Sequence, residues 1–281
     1  MKTLLAVVSD GTATALLETT LLVAKRFGSR IIGLNALTSE YAVVFGGEMG
    51  FSISSEVDRT LEREGLDRRE QARALFTSFM RQHGVPLGAG VAGSAPGAEW
   101  REEAGRQNAV VGTLGRVFDL ITLERPAKLA SLAEATLEDA LFESGRPVLM
   151  TPPTPLGSVG DRVLVAWNGS TETARTVAFA MPFLERAQSV QVVTVEGGMT
   201  PGPSGDELAQ SLQRHGISAI ARHVTARDRI PGEVFLDEAK AIGADLLVKG
   251  AYTQSRLRQM IFGGATRHII MEATMPVILA H

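Results

Sequence analysis

The chain has 281 residues, no cysteine, and 28 Lys and Arg against 31 Asp and Glu, a formal net charge of -3. Its length is typical of two domains of roughly 100–200 residues each, and the lack of cysteine excludes disulfides, Cys-ligated metals and thiol catalysis. The mild acidity, with two Trp and two Tyr, argues against a surface built to bind nucleic acid. No run of about 18 apolar residues and no signal-like start occur, so we expect a cytoplasmic protein without a membrane span.

The first predicted elements form a βαβ unit. Residues 4–8 (LLAVV) are predicted as a strand that a Ser-Asp-Gly turn closes, an amphipathic helix follows, and residues 30–36 (RIIGLNA) are predicted as the second strand. Because all three elements fall within about 35 residues, the strands are expected to pair in parallel in one sheet. Asp10, in the turn, is interpreted as a cap of the helix in preference to a ligand contact.

An insertion follows the second strand. Residues 41–55 are Gly-rich and apolar and are interpreted as a surface loop, although their apolar side chains could also cover a partner or a small apolar ligand. A charged amphipathic helix is predicted over residues 56–83, with its charges on a solvated face.

The same order of elements returns after the Pro-rich residues 151–160, which have the composition of a linker. A strand is predicted at residues 162–167 and a helix from Thr171, which Pro182 should interrupt and kink. The further predicted elements are a strand at 189–196, a helix at 204–215, a strand at 219–224, a helix at 231–242, and strands at 246–249 and 277–280.

Three landmarks recur in the same order in both halves. LLAVVSDG aligns with VLVAWNG, DLITL at residues 119–123 with DLLVK at 245–249, and RPVLM at 146–150 with MPVIL at 275–279. An ordered repeat of this kind predicts a duplicated fold. We therefore predict two α/β domains, residues 1–153 and 158–281, each with five parallel strands. The last strand of each is a natural edge for pairing between the two copies.

The most informative segment is residues 250–266, GAYTQSRLRQMIFGGAT, which follows a predicted buried strand and leads into a helix. A loop at the carboxyl end of a parallel strand is where open α/β sheets bind ligands. The backbone N–H groups around Gly263, Gly264, Ala265 and Thr266 would face an anion at a helix N-terminus, and Arg256 adds positive charge. The P-loop signature is missing, and glycines also serve turns, so a purely structural role stays open.

The ordered combination VLVAWNGS, DLLVKGAYTQSRLRQMIFGGAT and MPVILAH resembles the universal stress protein family in its tandem two-domain form. The resemblance implies a Rossmann-like, adenine nucleotide alpha hydrolase-like domain with strand order 3-2-1-4-5. It also implies an ATP-binding loop of the form Gly-x2-Gly-x9-Gly followed by Ser or Thr. Gly250 takes the first position, Thr253 replaces the second glycine, Gly263 takes the third, and Gly264 stands where Ser or Thr is expected.

The resemblance further implies which residues would contact the nucleotide. The backbone near Val195 would meet the adenine, and Asn168 stands where the family has an aspartate near the ribose and any metal. An asparagine lacks the charge that favours a divalent cation, which puts Mg²⁺ dependence in doubt more than ATP binding. The implied site consists of Trp167, Asn168, Gly169, Ser170, Val195, Gly250, Ala251, Thr253, Arg256, Gly263, Gly264, Ala265 and Thr266.

The first copy departs further from this pattern. Glu124-Arg125-Pro126 stands where Gly250 begins the loop, no glycine pair follows, and the segment before the last strand is shorter. A carboxylate at Glu124 would repel phosphate. The sequence therefore predicts one nucleotide site, in the second copy, with the first copy as a structural partner.

No catalytic constellation can be assigned. The five histidines show no metal-ligand spacing and are interpreted as surface or hydrogen-bonded residues, apart from His268, which could add a donor to a phosphate. The pairs Asp237-Glu238 and Glu102-Glu103 are each expected to diverge around a helix. An enzyme is therefore not predicted, although slow ATP hydrolysis stays open.

Three functions remain after the sequence is considered. The first is a stress-response regulator that binds ATP or another adenine nucleotide, and the second is a nucleotide-free scaffold or protein-interaction module. The third, a nucleotide-dependent transferase, rests on fold analogy alone. The tandem form implies pairing of the two domains within the chain and leaves a homodimer open.

Overall fold

The computed structural model describes residues 1–37, 55–88, 96–128, 131–154, 157–251 and 264–281. In the first half the elements are β1 (Thr3–Val7), α1 (Thr14–Phe27), β2 (Arg30–Leu37), α2 (Ser55–Gln82), β3 (Gly97–Ala104), α3 (Gln107–Leu114), β4 (Leu120–Glu124), α4 (Leu132–Glu143) and β5 (Val148–Thr151). In the second half they are β6 (Arg162–Trp167), α5 (Thr171–Leu184), β7 (Ser189–Val195), α6 (Gly205–Arg214), β8 (Ala219–Val224), α7 (Pro231–Ala241), β9 (Leu246–Gly250), α8 (Gly264–Glu272) and β10 (Val277–Ala280).

All ten strands lie in one sheet, in the order β3-β2-β1-β4-β5-β10-β9-β6-β7-β8. Within each half the pairing is parallel throughout, and the order is 3-2-1-4-5 when the strands of that half are counted along the chain. The α/β fold expected from the sequence is therefore confirmed.

The two halves meet at one antiparallel junction. Strands β5 and β10 pair with Val148 opposite Leu279, and Met150 opposite Val277, in agreement with the expectation that the last strands are the edges that meet. Their side chains are almost completely buried. The junction turns two five-stranded sheets into a continuous one, so that neither last strand is left as an exposed edge.

Helices cover both faces of this sheet. The buried side chains of α1, α2, α5 and α6 form one core with the strands, and those of α3, α4, α7 and α8 form another on the opposite face. Each core continues across the junction between the halves. Burial on both faces explains why most strands are continuous apolar runs without alternating polar residues.

One aspartate in each half holds the chain that enters its first strand. Asp119 accepts hydrogen bonds from the backbone N–H groups of Lys2 and Thr3. Asp245 accepts from Gly160 N, Asp161 N and Arg162 N and from the hydroxyl of Ser158. Both are the first residue of the aligned DLITL and DLLVK segments, so the repeated landmark has the same physical role twice.

Several local expectations change in the structure. Pro182 does not interrupt its helix, because α5 continues over it to Leu184. Glu102 and Glu103 lie on strand β3 and not on a helix, so they diverge because neighbouring side chains of a strand point to opposite faces. None of the described helices is long and apolar enough to cross a membrane.

Candidate functional site

The candidate site lies at the carboxyl edge of the sheet in the second half. Strand order reverses there between β6 and β9, and such a switch point leaves a crevice beyond the strand ends where doubly wound sheets bind ligands. Three segments meet this edge: the loop after β6, the end of β9 and the start of α8. The predicted residues Thr253, Arg256 and Gly263 lie outside the described residues, as does the insertion with Tyr41, Val43, Phe45 and Phe51.

Asn168, directly after β6, is engaged by the chain itself. Its side chain is buried, and its Oδ1 accepts hydrogen bonds from Thr173 Oγ1 at 2.6 Å and from Ser170 N at 3.3 Å. Ser170 in turn caps α5 by accepting from Thr173 N. The single side-chain oxygen of Asn168 therefore orders this turn and helix start, a role that the resemblance did not imply.

The loop between β7 and α6 packs onto the loop after β6. Thr200 N donates to Asn168 O at 2.8 Å, and Trp167 Nε1 donates to Pro203 O at 2.8 Å. Gly169 has a φ of +80°, and a Cβ on Gly202 would lie 2.3 Å from the carbonyl oxygen of Gly169. Glycine at both positions thus permits a close backbone approach. Trp167 and Gly169 are accordingly held by protein contacts.

Gly250 at the end of β9 also has a packing reason. A Cβ there would lie 2.5 Å from Thr173 N and 2.6 Å from Thr173 Oγ1, so the absence of a side chain lets β9 reach the start of α5. Ala251 follows, is fully buried, and donates its N–H to Ala280 O. The first glycine of the loop is therefore required by the fold, whether or not a ligand approaches it.

The start of α8 is where the sequence predicted an anion. Gly264 is exposed, Ala265 is half-buried and Thr266 is buried. No atom of the described residues lies within 4 Å of a Cβ built on Gly264. The first-turn N–H groups of a helix have no partners inside the helix, and the helix dipole places partial positive charge there. These general properties of helix N-termini are the reason that an anion was expected at this end of α8.

A buried lysine that the sequence reasoning missed lies beside this edge. Lys249 on β9 is only 4% exposed, and its Nζ donates to Gly250 O at 2.8 Å. Burial lowers the pKa of Lys249 to about 8, against an opposing effect of the Glu172 carboxylate. The sequence contains a signal for it, a single lysine in the apolar run LLVKG of a predicted buried strand. Lysine is almost never fully buried, so a lysine at such a position is unusual.

Val195 is the member of the predicted site that borders a cavity in the described part of the chain. This cavity of about 400 Å³ lies at the ends of β7 and β8, and Met199 and Val224 contribute to its apolar wall. A second cavity of about 430 Å³ lies between β8 and α7. The backbone predicted to meet adenine therefore borders an apolar hollow.

A hydrogen-bonded chain joins three elements at this cavity. Thr194 Oγ1 lies 2.7 Å from His223 Nδ1, and His223 Nε2 lies 2.6 Å from Asp206 Oδ2. Thr194 and His223 are opposite one another on β7 and β8. His223 is thus an exposed, hydrogen-bonded histidine, in agreement with its interpretation from the sequence.

The equivalent edge of the first half is acidic. Glu124 aligns with Gly250, and its pKa is raised, first by burial and then by the Asp10 carboxylate. The prediction that Asp10 caps α1 is wrong: the N-cap is Ala13, without a side-chain cap, and Asp10 Oδ1 accepts from Thr12 N and Oγ1. Two neighbouring carboxylates make this edge unfavourable for a phosphate.

The metal-binding capacity of the site is limited by its donor groups. Among the described residues no three His, Asp or Glu side chains come together as potential metal ligands. Asn168 offers a neutral oxygen that is already hydrogen-bonded twice. The residues described at this edge therefore do not fit a protein-held Mg²⁺, which prefers carboxylate oxygens.

Comparisons with known proteins match residues 160–281 to the Universal stress protein family. A universal stress protein from Archaeoglobus fulgidus DSM 4304 is 16% identical with a TM-score of 0.66, over 98% of this chain and 95% of that one. A protein of Pseudomonas aeruginosa UCBPP-PA14, assigned to the universal stress proteins, is 15% identical with a TM-score of 0.56, over 100% and 93%. No curated protein matches in sequence. At these identities the solved structures show a shared fold across the whole chain.

Proposed function

We propose that this chain, whose residues 160–281 belong to the universal stress protein family, binds ATP or another adenine nucleotide at the switch point of its second half. The family and the fold support a role of the stress-response type. In this role nucleotide binding serves sensing or regulation, and the first half is a structural partner. A cytoplasmic location and an adenine nucleotide as partner belong to the same proposal.

The observation that carries the proposal is the position of the α8 N-terminus. It follows the strand next to the switch point, and in the part of the chain that the structure describes no atom lies within 4 Å of a Cβ on its first residue, Gly264. The backbone N–H groups of Gly264, Ala265 and Thr266 would hold phosphate oxygens. The backbone of Val195 would meet the adenine beside the apolar cavity. A nucleotide needs both kinds of surface, and the same edge of the sheet supplies them.

The proposed activity is binding, without catalytic turnover. The Thr194–His223–Asp206 chain offers a hydroxyl beside a histidine, but Thr194 is only 4% exposed. A hydroxyl must reach the attacked carbonyl or phosphoryl group at about 3–3.5 Å, and a secondary hydroxyl with so little exposed surface is a poor nucleophile. Slow ATP hydrolysis stays compatible with the proposal.

A variant at Gly264 tests the proposal with little risk to the fold. Gly264→Val should abolish nucleotide binding, because a Cβ there meets no atom of the described residues within 4 Å, whereas the valine side chain would occupy the place of a bound phosphate. The measurements are release of nucleotide from the denatured purified protein, by mass spectrometry, and calorimetric titration with ATP. Gly65→Ala, also in open space but on α2, is the matched control. Unchanged ATP affinity in Gly264→Val would show that this edge is not the site.

A nucleotide-free scaffold is the alternative function. It is favoured by the engagement of Asn168 Oδ1 within its own turn and by the loop that packs onto Gly169. Under this alternative the purified protein releases no nucleotide and ATP titration gives no heat. Gly264→Val would then behave as the wild type in every binding measurement, and captured proteins would be the ligands to identify.

A further inference from the structure

Lys249 is a buried cation at the switch point, and the fold alone does not require it. Among the described residues it is the single lysine or arginine in the buried class. None of the salt bridges in the described part of the chain includes it. Burying an ammonium group without a paired carboxylate is costly, and an apolar residue of similar length would avoid this cost.

The geometry places the charge at the carboxyl edge and not deep in the core. In the sheet, Lys249 lies opposite Ala166 on β6 and Leu279 on β10. Its Nζ turns toward the strand end, because it donates to the carbonyl of the next residue, Gly250. The ammonium group thus lies beside the crevice between β6 and β9. It retains two further N–H donors after this bond.

We propose that Lys249 is the anion receptor of the site: its ammonium group contacts the phosphate groups of the bound nucleotide and supplies the positive charge that a divalent cation would otherwise supply. This role of Lys249 rests on the proposed function and deepens it, because with Lys249 as the anion receptor nucleotide binding does not depend on a metal ion. It also explains why a neutral Asn168 is tolerated at the end of β6. The anion in turn gives the buried charge an ion pair, which none of the salt bridges among the described residues provides.

Proton uptake is a direct consequence. In the free protein Lys249 has a pKa of about 8, and a nearby anion favours its charged form. Binding at pH 8.5 should therefore take up roughly three quarters of a proton, and affinity should fall as the pH rises further. Among the described residues the Glu172 carboxylate on α5 acts on Lys249. Charged or titratable groups on the other surrounding elements include Glu233 on α7, Arg267 and His268 on α8, and His281 after β10.

The experiment is calorimetric titration of the full chain with ATP in EDTA at pH 7.5 and 8.5, in buffers of different ionisation enthalpy. Wild type should bind without metal and take up a proton at pH 8.5. Lys249→Met should weaken binding roughly 10- to 100-fold, the loss typical of a hydrogen bond to a charged group, and should take up no proton. Lys240→Met, which removes an exposed lysine from the last turn of α7, should change neither.

The outcomes separate this inference from the proposed function. Equal affinity and equal proton uptake in Lys249→Met, or wild-type binding that requires Mg²⁺, would overturn the role of Lys249 while ATP binding stands. Titration with inorganic tripolyphosphate separates recognition of the phosphate groups from recognition of the adenine. If tripolyphosphate binds through Lys249 as tightly as ATP does, the anion receptor stands and adenine recognition fails. If neither ligand binds the wild type, both proposals fail.

Discussion

Replacing Lys249 by methionine should stabilise the free protein at neutral pH. Burial lowers the pKa of Lys249 from 10.5 to about 8, although the Glu172 carboxylate opposes part of the shift. One pKa unit corresponds to about 1.4 kcal/mol, so the charged ammonium costs the folded state about 3 kcal/mol. Methionine has a similar shape without the charge, and the variant should gain roughly this free energy of unfolding at pH 7.

The gain has a definite pH dependence. Because the pKa of Lys249 is lower in the folded state, the unfolded chain binds more protons between pH 8 and 10.5, and wild-type stability rises across this window. The penalty is fully present below pH 8 and vanishes above pH 10.5. The difference between Lys249→Met and wild type should therefore shrink from about 3 kcal/mol at pH 7 to less than about 1 kcal/mol at pH 10.

Urea denaturation at the two pH values measures this difference, with the fluorescence of the buried Trp167 on β6 reporting the second half. Lys240→Met is the control, because its exposed ammonium should contribute no pH-dependent difference. A difference between Lys249→Met and wild type that stays the same at pH 7 and pH 10 would refute the reasoning. It would mean that the charged lysine carries no burial cost in the folded protein.

Two further stability predictions concern acidic residues. Burial, and then the Asp10 charge, raise the pKa of Glu124. The charged form of Glu124 therefore destabilises the folded state once the pH rises above the ordinary pKa of a glutamate. Glu124→Gln should therefore raise the urea concentration at the midpoint of unfolding at pH 7 but not at pH 4. An equal increase at the two pH values would contradict this prediction. Asp245→Ala removes the acceptor of three backbone N–H groups and one hydroxyl and should cost about 3 kcal/mol or more by thermal unfolding. The control Asp237→Ala, which removes an exposed carboxylate, should lower stability by less than about 1 kcal/mol. Similar losses of stability in Asp245→Ala and Asp237→Ala would show that Asp245 does not hold the entry to β6.

Local pattern predicted the elements of the second half well. The strands Arg162–Trp167, Ala219–Val224 and Val277–Ala280 begin and end where the sequence placed them, because apolar runs bounded by turn residues are local signals. Glu102-Glu103 was misassigned to a helix. Its segment forms an edge strand beside β2, where exposed polar residues weaken the apolar pattern of a strand.

The candidate site was predictable only in part. The segments that form it were recognised, since Asn168, Gly250 and Gly264 all follow strands or begin a helix next to the switch point. The structural roles of the individual residues were not predicted. Gly250 is required by Thr173 of a different element, Asn168 Oδ1 is used within its own turn, and Asp10 caps no helix.

The sequence by itself determined that the chain contains two similar series of strands and helices, because turn chemistry and apolar periodicity act over a few residues. Only the tertiary structure decided that β5 and β10 pair antiparallel, that the loop before α6 packs onto Gly169, and that Lys249 is buried with its Nζ at the end of β9. These features depend on contacts between segments far apart in the chain. Burial and charge at the carboxyl edge of the second half are properties of that packing, and local composition does not contain them.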